Sequence, residues 1–455
     1  MKEPGAILLV ACYELGHQPL AVAWPVAFLE RHGYAPDVVD VSVERFDAAK
    51  VASARLVAIS VPMHTALRLG VGIAERVRKV NPGCHVCFYG LYAALNADWL
   101  LATCADSVLA GELESELVEL AARLERGGPL RGVNASLLAK LDFPLPRRSA
   151  LPGLEKYARL ERDGRLELTG YVEASRGCKH QCRHCPIPPV YGGRFFVVPR
   201  EVVLADVRQL VAAGARHITF GDPDFLNGPG HAMALARALH AELPHVTFDV
   251  TTKVEHLLRH RRLLPELAAL GCAFVVSAVE SLSDTVLRHL DKGHTRADFV
   301  AVLKLMRDAG LVLRPTWVAF TPWTTLDDYR EMLEFIAHER LIDHIDPVHY
   351  SIRLLVPPGS LLLESDAMRP HLGELVQDAF YYRWIHPDGR MDQLHAEVSA
   401  AVASGADGKQ DAPVTFNRIV VLADAAAGTS SGEPVDVGAQ PNRSRPPRLT
   451  EPWFC

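Results

Sequence analysis

No apolar run in these 455 residues reaches the roughly 18 that a helix needs to cross a bilayer. The opening stretch AILLVAC is too short for a span. It also lacks the basic flank and small-residue cleavage site of a secretory signal. The expected location is therefore the cytoplasm, with no membrane partner. The chain has no excess of positive charge either: its net charge is −6. This argues against a general basic footprint for nucleic acid. Nine cysteines are an odd number in a long chain without a secretory signal. A disulfide framework is not expected, and clustered thiols are better explained by metal ligation or catalysis.

What is present is a repeated strand-helix rhythm. The runs AILLVAC, PDVVDV, LVAISVPM, HVCFYG and SVLAG alternate with helix-period segments over residues 1–125. Short apolar runs of this kind fit a parallel sheet covered on both faces. The spacing predicts a doubly wound five-strand domain. Residues 126–169, interrupted by Pro144, Pro146 and Pro152, are expected to form a linker. A second series follows over 170–356, with strands expected near Tyr171, His217, Val246, Ala273, Arg314 and His349. In REVVLADVRQLVAAG, Val203, Val207, Leu210 and Val211 share one helical face and Gly214 is a natural stop. In ADFVAVLKLMRDAG, Phe299, Val302, Leu303 and Met306 do the same before Gly310. Six such units fit a partial (β/α)6 TIM-type barrel, with chemistry at the C-terminal ends of its strands. Residues 357–420 are expected to cap the barrel. The Gly/Pro/Ser-rich remainder, 421–455, is expected to be a flexible tail.

Just after the first barrel strand stands EASRGCKHQCRHCPIP. Cys178, Cys182 and Cys185 are spaced C-x3-C-x2-C, where a barrel keeps its active site. Three thiolates suit a [4Fe–4S] cube with one iron left open. A closed zinc site wants four ligands; His180 or His184 could supply the fourth, but no second pair follows at finger spacing.

This motif in this position resembles the radical S-adenosylmethionine (radical SAM) superfamily. The resemblance covers the barrel and, more loosely, the N-terminal domain. It implies that the open iron is chelated by SAM. It also implies reductive cleavage to a 5′-deoxyadenosyl radical and attack on an unidentified small-molecule substrate. Electrons would come from a donor such as flavodoxin or ferredoxin. His184 occupies the family's aromatic place before the last cysteine. FGDPDF stands where the family has a Gly-Gly-Glu-like segment, which offers Gly221, Asp222 and Asp224 to the amino group of SAM. VVSAVESLS resembles the family's Gly-x-Glu-Ser segment, which makes Glu280 and Ser281 candidates for the ribose or methionine end. Glu280 could equally cap the helix starting near Asp284. The fifth strand, PTWVAFTPW, matches the family only loosely at Ala319 and Pro322. Lys253 and Glu255 are expected at the barrel mouth, as ligands or as an internal ion pair. Tyr350 and Arg353 are the catalytic candidates. Strand alternation places His349 and Arg353 on one face, with a rim ion pair as the plainer role of Arg353. HPDGRMDQLH carries His386, Asp388, Asp392 and His395, for which a solvated loop is the plainer expectation over a metal site.

A five-strand domain ahead of such a barrel resembles the cobalamin (B12)-binding arrangement. His17 stands near the place of an axial ligand, but CYELGHQPLA lacks the surrounding Asp and Gly of that pattern. A cobalamin-dependent radical SAM methyltransferase is therefore the alternative reading. Cys12, Cys84, Cys87 and Cys104 raise the further alternative of a methylthiotransferase with a second cluster. A non-catalytic zinc or Fe–S binding protein is the alternative from another class. The ending RLTEPWFC resembles radical SAM proteins with a Cys-Cys-Ala-Glu-Pro tail, in which selenocysteine can replace the second cysteine. On that resemblance the chain is expected to stop one residue early, after Cys455.

Overall fold

The computed structural model describes residues 1–127, 132–429 and 445–451. The N-terminal strands are β1 (Ile7–Ala11), β2 (Asp37–Asp40), β3 (Leu56–Ser60), β4 (His85–Tyr89), β5 (Ser107–Gly111) and β6 (Val133–Leu137). They form one parallel sheet in the order β2-β1-β3-β4-β5-β6. Strands β1, β3 and β4 are buried at every residue, because helices cover both faces. The sixth strand lies in the stretch read as a linker. Its sequence, VNASL, alternates half-buried and exposed residues as an edge strand does, so no apolar run announced it.

The chain then forms β7 (Arg159–Arg162), β8 (Arg165–Val172), β9 (Ser175–Gly177) and β10 (Phe195–Val197). These are followed by β11 (His217–Phe220), β12 (Thr247–Thr251), β13 (Cys272–Glu280) and β14 (Val312–Trp317). Strands β8 and β11 to β14 run parallel and curl into a half-barrel. The helices between them follow the expected pattern. Arg200–Ala212 buries Val203, Leu204, Val207 and Leu210. Arg296–Asp308 buries Phe299, Val302, Leu303 and Met306, and starts on a reciprocal Thr295–Asp298 capping box.

The sixth barrel unit differs in detail. Pro347–Tyr350 is a 3-10 turn, and the sixth strand is reduced to one parallel bridge between Phe320 and Arg353. The expected alternation of His349 and Arg353 on a common face therefore fails, because His349 lies within the Pro-led turn and only Arg353 is in the bridge. After the barrel come a hairpin of β15 (Leu372–Val376) and β16 (Tyr381–Trp384) and two packed helices, Gly389–Asp407 and Ala412–Ala427. HPDGRMDQLH is thus a helix start capped by Asp388, not a solvated loop. The tail is only partly as expected. Residues 421–427 finish a helix, and β17 (Arg448–Leu449) pairs antiparallel with β7. Trp453, Phe454 and Cys455 lie outside the described residues.

One apolar core runs from Leu9 and Trp24 through Leu141 and Phe143 to Val203 and Leu210. The N-terminal sheet and the barrel are therefore packed on shared side chains. The segment between β6 and β7 is tied to the barrel by a buried ion pair, in which Arg148 donates from Nε and a terminal nitrogen to both carboxylate oxygens of Asp206, at 2.9 and 2.8 Å.

Candidate active site at the mouth of the half-barrel

Strand β8 delivers the chain to Ser175 and β9, and Cys178 follows directly. Cys178 and Cys182 are buried, and all three thiols of the motif are unpaired with one another. Asn227 Nδ2 donates to Cys178 Sγ at 3.6 Å, and the Cys185 N–H donates to the Cys182 carbonyl at 3.1 Å. Burial first, then the neighbouring sulfurs of Cys182 and Cys178, push the Cys185 thiol up to about 12. Three soft ligands on one short loop fit an iron–sulfur cluster with one iron free of protein.

Beside the trio sits Glu280, at a register shift that ends β13. Its φ is +67° and the Ser281 N–H donates to the Val279 carbonyl at 2.9 Å, so Glu280 is the centre of a three-residue γ-turn. Such a conformation costs a non-glycine residue about 1–3 kcal/mol and is kept where surrounding contacts enforce it. Those contacts are Lys292 Nζ and His184 Nε2, each 3.2 Å from the Glu280 carboxylate. Burial alone would raise the Glu280 carboxyl, but Lys292 and His184 overcome it and hold it well below the carboxylate range. Burial likewise pulls on Lys292, yet Glu280 and the sulfurs of Cys182 and Cys185 keep the ammonium charged. Sequence reasoning gives Lys292 no role. No periodicity links it to a glutamate twelve residues earlier on another element.

The other candidates are placed as follows. Gly221 lines the cavity inside the half-barrel, and a Cβ there would overlap the Tyr171 hydroxyl. The Asp222 carboxylate accepts from the Ala174 N–H at 2.9 Å and from the Ser175 hydroxyl, so it fixes the turn that leads into Cys178. Asp224 accepts from the Leu226 N–H and turns its other oxygen to His256 and His180. Ser281 Oγ accepts from the Ser283 N–H at 3.1 Å, at the start of the helix Asp284–His289. Lys253 and Glu255 form an ion pair at 3.7 Å. Tyr350 packs on Phe416 and Arg353 stacks on Trp384 and pairs with Asp392 at 2.7 Å. Neither lines the barrel cavity.

That cavity, of 230 Å³, is lined among others by Gly221, Asp249 and Arg314 from the barrel, by Glu14 and His17 after β1, and by Glu451 of the tail. The order β2-β1-β3 makes the space after β1 and β3 the switch point where open α/β sheets take ligands. His17 is not a free imidazole there: Glu451 holds its Nε2 at 2.9 Å and Tyr171 stacks on its ring. Burial, then Glu173, pushes the Glu14 carboxyl up to about 8. Burial, opposed by Arg176, pushes Glu112 up to about 7. Both folded values lie above the ordinary 4.5. Their contribution to stability is therefore full below that value and lost as pH rises through 7 and 8. The denaturant midpoint of the protein is expected to fall over this window, and Glu14→Gln is expected to flatten the upper part of the decline.

The four N-terminal thiols do not assemble a second trio. Cys12 follows β1 at the C-terminal edge of the sheet. The carbonyls of Cys84 and Cys104 both accept from Arg78 at the opposite edge.

A profile of the Radical SAM superfamily matches residues 172–336. Over 199 residues the chain is 29% identical to the tRNA-2-methylthio-N(6)-dimethylallyladenosine synthase of Desulfosudis oleivorans, a match covering 42% of this chain and 42% of that relative. It thus spans less than two thirds of that relative's length. Two solved structures share the fold across most of the chain. The cobalamin-dependent S-adenosylmethionine radical enzyme OxsB with aqua-cobalamin bound superimposes with a TM-score of 0.68 at 14% identity, covering 89% of this chain and 68% of that one. The radical S-adenosylmethionine methyltransferase TsrM from Kitasatospora setae, with tryptophan substrate and a SAM analog bound, gives 0.64 at 17% identity and covers 94% and 96%. No described helix is long and apolar enough to cross a membrane. Residues 172–336, from the strand leading into the three cysteines to the helix after β14, therefore carry a Radical SAM superfamily domain, and they follow an N-terminal parallel α/β domain whose fold these two structures share.

Proposed function

We propose that this protein is a radical SAM enzyme that acts on a small molecule held in the half-barrel. The observation that carries the reading is the place of Cys178, Cys182 and Cys185 in the loop that leaves β8, unpaired with one another and inside the segment matched by the superfamily profile. A [4Fe–4S] cluster held by these thiols would supply reductive cleavage of S-adenosylmethionine. The chain's own part is positioning and exclusion. Lys292 sets a positive charge beside Cys182 and Cys185, and Glu280, itself held by His184, keeps that ammonium in place. The loop after β1 and the tail line the cavity, where they would shield a reactive carbon centre from water and keep it near one hydrogen. His184, Gly221, Glu280 and Ser281 are the residues proposed to meet the nucleotide. Asp222 is proposed to act through the turn that it fixes. The proposed electron source is a small carrier such as flavodoxin or ferredoxin.

Anaerobic reconstitution tests this reading. The expected result is about four irons per chain, brown colour, and release of 5′-deoxyadenosine or methionine from SAM on reduction. A protein that binds no iron, or binds it and leaves SAM intact under a strong reductant, would sink the proposal.

A second reading, a cobalamin-dependent methyltransferase, is favoured by one observation. A further cavity, of 580 Å³, lies at the C-terminal ends of β1 and β2 and is lined by Cys12, Gly16, Val41 and Ser42. The tail separates it from the barrel cavity, since Thr450 lines one and Glu451 the other. With His17 engaged by Glu451, cobalamin would bind without this axial ligand. Equilibrium dialysis against hydroxocobalamin decides the matter: retention at one equivalent supports this reading and none removes it.

A further inference from the structure

We propose that His180, Asp224 and His256 form a binding site for one divalent cation of the zinc type, separate from the iron–sulfur ligands. The three residues come from three elements. His180 lies in the loop between Cys178 and Cys182, Asp224 follows β11, and His256 is in the helix Val254–Arg259. One donor atom from each falls within 4.8 Å of the other two.

Three features point to a cation over a plain hydrogen-bonded relay. First, His180 Nε2, Asp224 Oδ2 and His256 Nδ1 are all buried, and none has a hydrogen-bond partner. The 2.7 Å approach of His256 Nδ1 to Asp224 Oδ2 is close enough for a bond but is not directed as one. Second, the separations suit a shared ion. Donors about 2.0–2.1 Å from a tetrahedral zinc stand roughly 3.3 Å apart. The contacts to Asp224 Oδ2, at 2.7 and 3.6 Å, bracket that spacing. Third, supporting groups orient the donors. Asp224 Oδ1 accepts from the Leu226 N–H at 3.1 Å, which leaves Oδ2 for the ion. Glu255 Oε2 is 3.6 Å from His180 Nδ1, which turns Nε2 toward the site. Lys253 is paired with that same Glu255 at 3.7 Å.

Two imidazoles and a carboxylate form a borderline donor set that suits zinc. Three protein ligands leave a fourth position for water or another small ligand. An ion here would tie the loop that carries Cys178 and Cys182 to β11 and to the helix Val254–Arg259. Asp224 would then serve the cation and not the nucleotide.

The test uses the full-length, cluster-loaded protein. It is incubated with one equivalent of zinc, desalted, and its zinc and iron are measured separately. The expected result is one retained zinc per chain in the wild type, with at least a tenfold loss of zinc in Asp224→Asn and His256→Gln at unchanged iron content. Zinc should also raise the thermal midpoint of the wild type and leave both variants unmoved. Wild-type protein that keeps its iron but retains no zinc overturns the proposal, and so does equal retention by the two variants. If cluster loading fails, the same zinc measurement is made on the protein with its cysteines alkylated. Retention and its loss in the variants then decide the cation site independently of the radical SAM reading.

Discussion

Cys182→Ser is expected to yield a folded protein that carries less than one full cluster and does not cleave SAM. The serine is nearly the same size, so the buried loop keeps its shape. It replaces a soft thiolate by a hard hydroxyl that iron–sulfur chemistry does not favour. Loss of a mere supporting residue around a metal typically costs 10–100-fold, and loss of a direct ligand should exceed roughly 100-fold in release of 5′-deoxyadenosine. Iron content, visible absorbance and far-UV circular dichroism separate the outcomes. Full iron and normal turnover in the variant would remove Cys182 from the ligand set. Misfolding would show in the circular dichroism, and Cys185→Ser, whose residue is only half-buried, then answers the same question.

Arg176→Met is expected to be the most destabilising single replacement at the junction of the two domains. The Arg176 guanidinium meets Glu114 at 2.7 Å, Glu173 at 3.1 Å and Glu112 at 3.5 Å. It also lies over the rings of Trp24 and Phe143. Glu112 and Glu114 follow β5 of the N-terminal sheet, whereas Glu173 and Arg176 lead from β8 into the cysteine loop. Methionine keeps the stem's packing and removes the charge, which leaves two buried carboxylates, Glu112 and Glu114, and the half-buried Glu173 facing one another. Breaking a buried pair in this way costs about 3–5 kcal/mol. Arg176→Lys should recover only part of this, because an ammonium cannot present a planar fork to three acids. Adding Glu112→Gln to Arg176→Met should restore some of the loss, read as a shift of the denaturant midpoint. A midpoint that does not move on Arg176→Met would show that the contacts are solvated and do not lock the domains.

Local patterning made much of this molecule legible. The helix faces of Arg200–Ala212 and Arg296–Asp308 follow from 3.6-residue spacing, and the cysteine spacing and place singled out the candidate cluster-binding loop. Strand β6 was not legible, because an edge strand with one wet face needs no apolar run. The sixth barrel strand was over-read, because a β-rich segment beginning with proline can turn as readily as extend. Tyr350 and Arg353 were credible candidates by position, but the C-terminal helices and the β15–β16 hairpin supply Phe416, Trp384 and Asp392 to hold them away from the cavity.

By itself the sequence determined the two βα series, the trio of thiols and their place at a strand end. Each of these depends on residues close together in the chain. Only the tertiary structure decided that Lys292 neutralises Glu280 beside the sulfurs, that Asp222 braces the cysteine loop, that His256 meets Asp224, and that Glu451 reaches back to His17. The physical reason is that a buried charge must find its partner wherever packing brings one, and no periodicity in the chain encodes a contact between residues 17 and 451.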